Sequence, residues 1–196
     1  MAKKGINREI IFEEAKSLIE EKGYDKFSLR ELAIQLDVKP ASLYSHIKGI
    51  EEINIAISEI AAKSMEEAIK KAVCGKTSDE AFVSGINAYR DFAMKNPELY
   101  KAFIHMPSLN DERIMHTGFK SFLPLVEIIK EYNLSKEDTL NYIRALRAMM
   151  HGFIELTNNG FMQRGNVSQD ESYNEIIRGY LEVLKEKAEK KENKNV

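Results

Sequence analysis

The sequence predicts an all-α chain, a three-helix head followed by a larger helical body. Three observations predict it. Apolar residues recur at helical spacing along nearly the whole chain. Four segments open on Ser or Thr with an acid three residues later, the pattern that caps a helix start. No run alternates apolar and polar residues long enough to make a convincing strand. Hydrophobic residues at 43% and charged residues at 31% are ordinary for a globular protein and argue against disorder.

Ile11, Ala15 and Leu18, with Ile19 beside them, line a first helix that Gly23 stops. Ser28-Leu29-Arg30-Glu31 caps a short second helix with Leu29, Leu32, Ala33 and Leu36 on its apolar face. Asp37-Val38 makes a turn, and Pro40 opens a third helix running to about Ile47. After Gly49, Glu51 and Glu52 suit the first turn of a long fourth helix to Val73, with Ile50, Ile53, Ile57 and Ile60 on one face. Thr77–Glu80 caps a fifth helix ending at Asn96-Pro97, and Pro97 starts a sixth that Pro107 ends. A seventh spans Asp111 to Tyr132 and must kink or break at Pro124. Ser135–Asp138 opens an eighth, and Ser168–Glu171 a ninth whose end loses apolar periodicity. The expected organisation is a head over 1–48, a body over 49–190 and a disordered tail over 191–196.

The net charge of −2 is unlike that of a typical polyanion binder, but averages hide distribution. Residues 1–48 carry nine Lys/Arg against eight Asp/Glu, and the remainder 20 against 23. Lys3, Lys4 and Arg8 precede the first acid, and Val38–Lys48 holds Lys39 and Lys48 and no acid. Such local patches can steer a phosphate backbone. The single cysteine, Cys74, excludes an intrachain disulfide and fits a reducing compartment. MAKKGINREI lacks the apolar core of a signal peptide, and no apolar run nears the ~18 residues that span a bilayer. A cytoplasmic protein is expected.

Two short helices joined by a tight turn and braced by a third form a helix-turn-helix. In its second helix Ala41, Ser42 and Ser45 are small enough for close approach to base edges. Tyr44, His46, Lys39 and Lys48 carry groups that reach phosphate oxygens. The stretch FSLRELAIQLDVKPASLYSHIKGIEEI resembles the head of the TetR family of transcription regulators, with Ser28, Ala33, Val38, Leu43, Tyr44 and His46 on matching positions. That resemblance implies a homodimeric repressor on palindromic operator DNA, released by a small-molecule effector. It implies Tyr44 on a phosphate and Lys39 to Ser45 in the major groove. The DNA-binding candidates are Ser28, Arg30, Lys39, Pro40, Ala41, Ser42, Tyr44, Ser45, His46 and Lys48. Ile47 replaces a usual phenylalanine. Ile50 stands where many members keep a phosphate-binding lysine, and Gly49 replaces a Ser/Thr cap, so one backbone anchor is expected to be missing.

Met149 to Leu156 resembles a TetR subset with a Trp-His-Gly signature, Met150 standing in for the tryptophan, and Ala88 to Tyr100 also looks like that subset. The body is rich in methionines and rings, which line adaptable apolar cavities, although filling a helical core is the commoner role for any one of them. The ligand candidates are Tyr89, Phe92, Phe103, Met115, Phe119, Phe122, Met150 and His151. His116, Arg147 and Glu155 are embedded polar groups beside them. Gly152, Gly160 and Gly179 lie on or near the last two helices, where a helical glycine costs ~1 kcal/mol and suggests close packing. In the TetR family those two helices form a four-helix dimer bundle. Tyr180, Leu181, Val183 and Leu184 on the ninth helix are apolar enough to belong there, and Gly152, Tyr180, Leu181 and Leu184 are the leading interface candidates.

An enzyme is not expected: there is no Gly-rich phosphate loop or Gly-x-Ser-x-Gly elbow, and the four histidines lack metal-ligand spacing. No cofactor or metal is expected. The remaining alternative is a helical dimeric interaction module that never binds DNA.

Overall fold

The computed structural model describes residues 5–105, 109 and 111–192, with the side chains of 113–115, 191 and 192 excepted. Lys3, Lys4, Pro107 with its expected helix end, the side chain of Met115 and most of the expected tail therefore lie outside the described residues. Every regular element among the described residues is helical.

Helix α1 (Arg8–Lys22) starts where the Asn7 side chain accepts the Ile10 N–H at 2.9 Å. It buries Ile11, Ala15, Leu18 and Ile19, and stops at Gly23, whose φ of 100° suits glycine. A 3₁₀ turn (Tyr24–Lys26) leads to α2 (Leu29–Gln35). At the end of α2 the Val38 N–H returns to Ala33 O and the Asp37 N–H to Ile34 O, the two bonds of a Schellman stop. Asp37 takes the left-handed position at φ 51°, which Asp and Asn tolerate better than most residues. Helix α3 (Pro40–Leu43) follows at once. It is shorter than expected, because regular helix gives way after Leu43 and the Ser45 hydroxyl donates back to Ser42 O at 2.7 Å.

Next come α4 (Ile50–Val73), α5 (Ser78–Lys95) and α6 (Pro97–Ile104). The expected seventh helix is broken into α7 (Glu112–Lys120) and α8 (Leu123–Lys130). Pro124 sits in the first turn of α8, where its missing N–H costs nothing. Helices α9 (Lys136–Asn158) and α10 (Gln169–Glu192) complete the chain, so they are the expected eighth and ninth.

The chain packs as two units. The first holds the residues up to Met65 with Lys95–Ser121. In it the head helices pack beside α6: Tyr24 donates its N–H to Glu98 at 2.7 Å, Lys101 lies 3.6 Å from Asp25, and the buried Ser58 hydroxyl donates to Ala102 O at 3.0 Å. The second unit holds Glu66–Met94 and the residues from Phe122 onward. Its core includes Phe82, Ile86, Tyr89, Leu125, Ile129, Leu146, Ile154 and Tyr173, and the Tyr173 hydroxyl donates to Ile86 O at 3.1 Å.

Among the glycines whose surroundings are described, Gly85 is the tightest, not those near the last two helices. A Cβ there would lie 2.7 Å from Leu125 Cδ2 and 3.0 Å from Val73 Cγ1. Gly85→Val is expected to destabilise by about 2–3 kcal/mol in urea unfolding, as overpacking does. Adding Leu125→Ala should recover part of that loss; additive losses would show that the two side chains do not compete for the same space.

Candidate functional site

The helix-turn-helix presents its polar candidates to solvent because its apolar ones are buried. Leu43 and Ile47 are buried, while Lys39, Pro40, Ala41, Tyr44, Ser45 and Lys48 are exposed and Ser42 and His46 half-buried. Tyr44 is 59% exposed, so its ring is not spent on packing against α1. Arg30 is exposed on α2. Ser28 is the N-cap of α2: its hydroxyl accepts the Glu31 N–H at 3.3 Å and donates to Glu31 Oε2 at 3.1 Å. Glu31 also holds Lys22 at 2.9 Å, which keeps its carboxyl below the usual range. The Ser28 hydroxyl hydrogen is therefore committed to the cap.

Two charged residues have roles that composition could not show. Arg8, counted with the basic tail, pairs with Glu52 and lies 5.4 Å from the Phe12 ring centre. Glu52 also accepts the Lys48 N–H at 2.7 Å. The Glu52 carboxylate thus ties the chain just ahead of α4 to the helix's first turn, whereas a Ser or Thr at position 49 would accept a first-turn N–H. Helix α4 opens with its own acids at the N-terminal end.

The body candidates separate by unit. Tyr89, Phe92, Phe122, Met150 and His151 belong to the second unit, and Phe103 and Phe119 to the first. Phe103 is buried against Tyr100, ring centres 6.4 Å apart, whereas Phe119 is 52% exposed. Tyr89, Phe122 and His151 meet directly. The buried Tyr89 ring is edge-on to Phe122 at 5.3 Å and to His151 at 5.7 Å, and its hydroxyl lies 3.2 Å from His151 Nε2. The Arg147 guanidinium lies over Phe122, 5.0 Å from the ring centre. His116 is exposed and Glu155 half-buried. Arg90, not singled out from sequence, meets Asp170 at 2.5 Å and stacks on Tyr173 at 4.5 Å. Its helix-to-helix pairing across 80 positions left no local signal.

Burial pushes the His151 imidazole down to about 4, and the Arg147 charge pushes the same way. His151 is therefore neutral at neutral pH. Between its ordinary 6.5 and about 4 the unfolded chain takes up a proton that the folded chain refuses. Stability is then fully present above 6.5 and falls as pH drops through that window. From about pH 7 to about pH 4.5 the wild type should lose about 2 kcal/mol more than His151→Gln, in urea unfolding at one protein concentration. Equal losses would mean that another group carries the dependence.

Of the interface candidates, Tyr180 lines a groove between α9 and α10, while Gly152 lies on α9 and Leu181 and Leu184 on α10. Gly152 and Gly179 have nothing within 4 Å of an added Cβ, so no neighbour in this chain needs them small. Tyr180 is half-buried, stacked on Phe82 at 5.7 Å, with its hydroxyl donating to Tyr142 O. Leu181 is half-buried, and Leu184 is buried in the chain's own core. Val183 and Ile176 hold the exposed positions instead, across a groove from Ala145 and Met149. Ile176 was recoverable from sequence as the start of a second apolar stripe, Ile176-Tyr180-Val183, beside the buried Tyr173-Ile177-Leu184. Among the described residues, no group of three or more His, Cys, Asp or Glu is placed to hold a metal, and no helix is long and apolar enough to cross a membrane.

Residues 11–57, which span the helix-turn-helix, match the tetR family of bacterial regulatory proteins, and residues 82–180 match the tetracyclin repressor-like C-terminal domain. The chain belongs to the TetR family. YobS of Bacillus subtilis, an HTH-type transcriptional regulator, is 25% identical over 92% of this chain and 93% of its own. The TetR regulator PfmR of Thermus thermophilus is 26% identical, with a TM-score of 0.60 over 89% of this chain and 96% of its own. BioQ, solved with its double-stranded DNA operator, shares the fold at a TM-score of 0.67 and 14% identity, over 92% of this chain and 99% of its own. The TetR chain is thus a transcription regulator with an N-terminal DNA-binding domain and a larger helical C-terminal domain.

Proposed function

We propose that the protein is a repressor that binds a palindromic operator as a homodimer and leaves it when a small molecule binds the body. Residues 1–48 serve as the DNA-binding head, and 49–190 as the sensing and dimerising part. One observation carries the reading. Around α3, buried Leu43 and Ile47 hold an exposed face of Lys39, Ala41, Tyr44 and Ser45, small side chains flanked by groups that bind phosphate. The exposed α9–α10 groove supports a second copy as partner, since a two-fold interface uses the same face from both chains.

Selection from a pool of random duplexes tests this reading. The expected winners are palindromes whose half-sites lie about one helical turn apart. Enrichment of no sequence would leave the helical interaction module as the better reading. On the selected duplex, Tyr44→Phe should weaken all sequences alike by about 0.5–1.5 kcal/mol, one lost hydrogen bond. Lys39→Ala should lower the salt slope by about one. Unchanged affinity and slope would remove both residues from the phosphate contacts.

A further inference from the structure

We propose that the effector is an amphipathic monoanion, an apolar molecule ending in a carboxylate, and that Arg147 binds that carboxylate beside Tyr89 and His151. The inference rests on the effector-binding reading above and concerns the second unit alone.

Arg147 is the one half-buried arginine among the described residues with no carboxylate partner there. Arg90, also half-buried, has Asp170, and the exposed Arg8 and Arg178 have Glu52 and Glu175. A guanidinium drawn out of water without a counter-charge is costly, and the Phe122 face offsets only part of that cost. A carboxylate arriving there would accept two parallel N–H bonds, the geometry that suits a guanidinium best. Its surroundings set the class of ligand. His151 stays neutral and supplies no second positive charge, and Arg90 is already committed to Asp170. Among the described residues one cation is on offer there, which favours a single negative charge over a phosphate monoester. The buried Phe122 and Tyr89 rings, packed edge-on at 5.3 Å, give the neighbourhood its apolar character. Arg147 and His151 lie one helical turn apart on α9, and the Tyr89 hydroxyl reaches His151 from α5. Arg147 from α9 and Tyr89 from α5 both pack on the Phe122 ring.

Calorimetry on the full chain tests this with hexanoate, decanoate and tetradecanoate, each below micelle formation, and with decanol and decylamine. At least one carboxylate should bind more tightly than both neutral and cationic probes. Arg147→Gln should weaken it about tenfold or more while leaving decanol binding unchanged. Arg147→Lys, which keeps the charge and loses the fork, should fall between the two. Arg178→Gln, far along the exposed side of α10, should bind like wild type. The inference is overturned if Arg147→Gln, shown by circular dichroism to be folded, keeps wild-type carboxylate affinity. It is equally overturned if no carboxylate binds, or if decanol or decylamine binds as tightly. Decanol binding that releases operator DNA, with carboxylates inert, would sink the anion and leave the effector reading standing.

Discussion

Val183→Asp combined with Ile176→Asp is expected to turn the protein into a folded monomer that has lost about a thousandfold in operator affinity. Both side chains are exposed in the single chain, at 54% and 37%, so two acids there cost the monomer little. In the proposed dimer four acids, two from each copy, would be buried in an apolar interface whose groove includes Ala145, Met149 and Gly179. Buried like charges without partners are severely unfavourable. Operator binding suffers because a dimer joins two half-site contacts and gains about 10²–10⁴ from their linkage. Sedimentation would report the monomer, and anisotropy on the selected duplex the affinity. A variant that stays dimeric would move the interface elsewhere. One that becomes monomeric yet binds as before would separate dimerisation from recognition.

What was legible in the sequence was what neighbouring residues decide. Ser28 and Ser135 cap helices because the residues they bond lie three positions on. Asp37-Val38 closes α2 through bonds spanning a few residues. Pro124 breaks a helix by its own geometry. Such effects need no tertiary context. The recognition stretch was legible for the same reason: its small, aromatic and basic residues follow one another within ten positions. The rest depends on partners far away in the chain. The Tyr24–Glu98 bond spans 74 positions, so nothing local foretold that α6 packs with the head. Gly85 looked like any helical glycine until Leu125 and Val73 closed over it. Val183 and Leu184 are adjacent and both apolar, and only the packing decides which one faces the core. The ligand candidates were chosen by chemistry alone, and chemistry does not tell that Phe103 and Tyr89 belong to different units.

The exposed face of α3 is, in the proposed function, the surface that reads DNA, and everything else in that function depends on it. Ala41 is exposed on that four-residue helix, between Pro40 and Ser42, and no charged side chain lies nearer along the chain than Lys39. Ala41→Glu sets one negative charge and a longer side chain where base edges and phosphates must approach, without touching the buried Leu43. The measurement is anisotropy of wild type and Ala41→Glu on the selected palindrome and on a scrambled duplex, with the melting midpoint and mass of each recorded. The predicted result is a loss of about a thousandfold, or about 4 kcal/mol, on the palindrome, down to the affinity for scrambled DNA. Melting midpoint and dimer mass should stay as in wild type. Wild-type affinity for the palindrome in Ala41→Glu would contradict the proposed function, because a carboxylate cannot sit in an operator groove unnoticed.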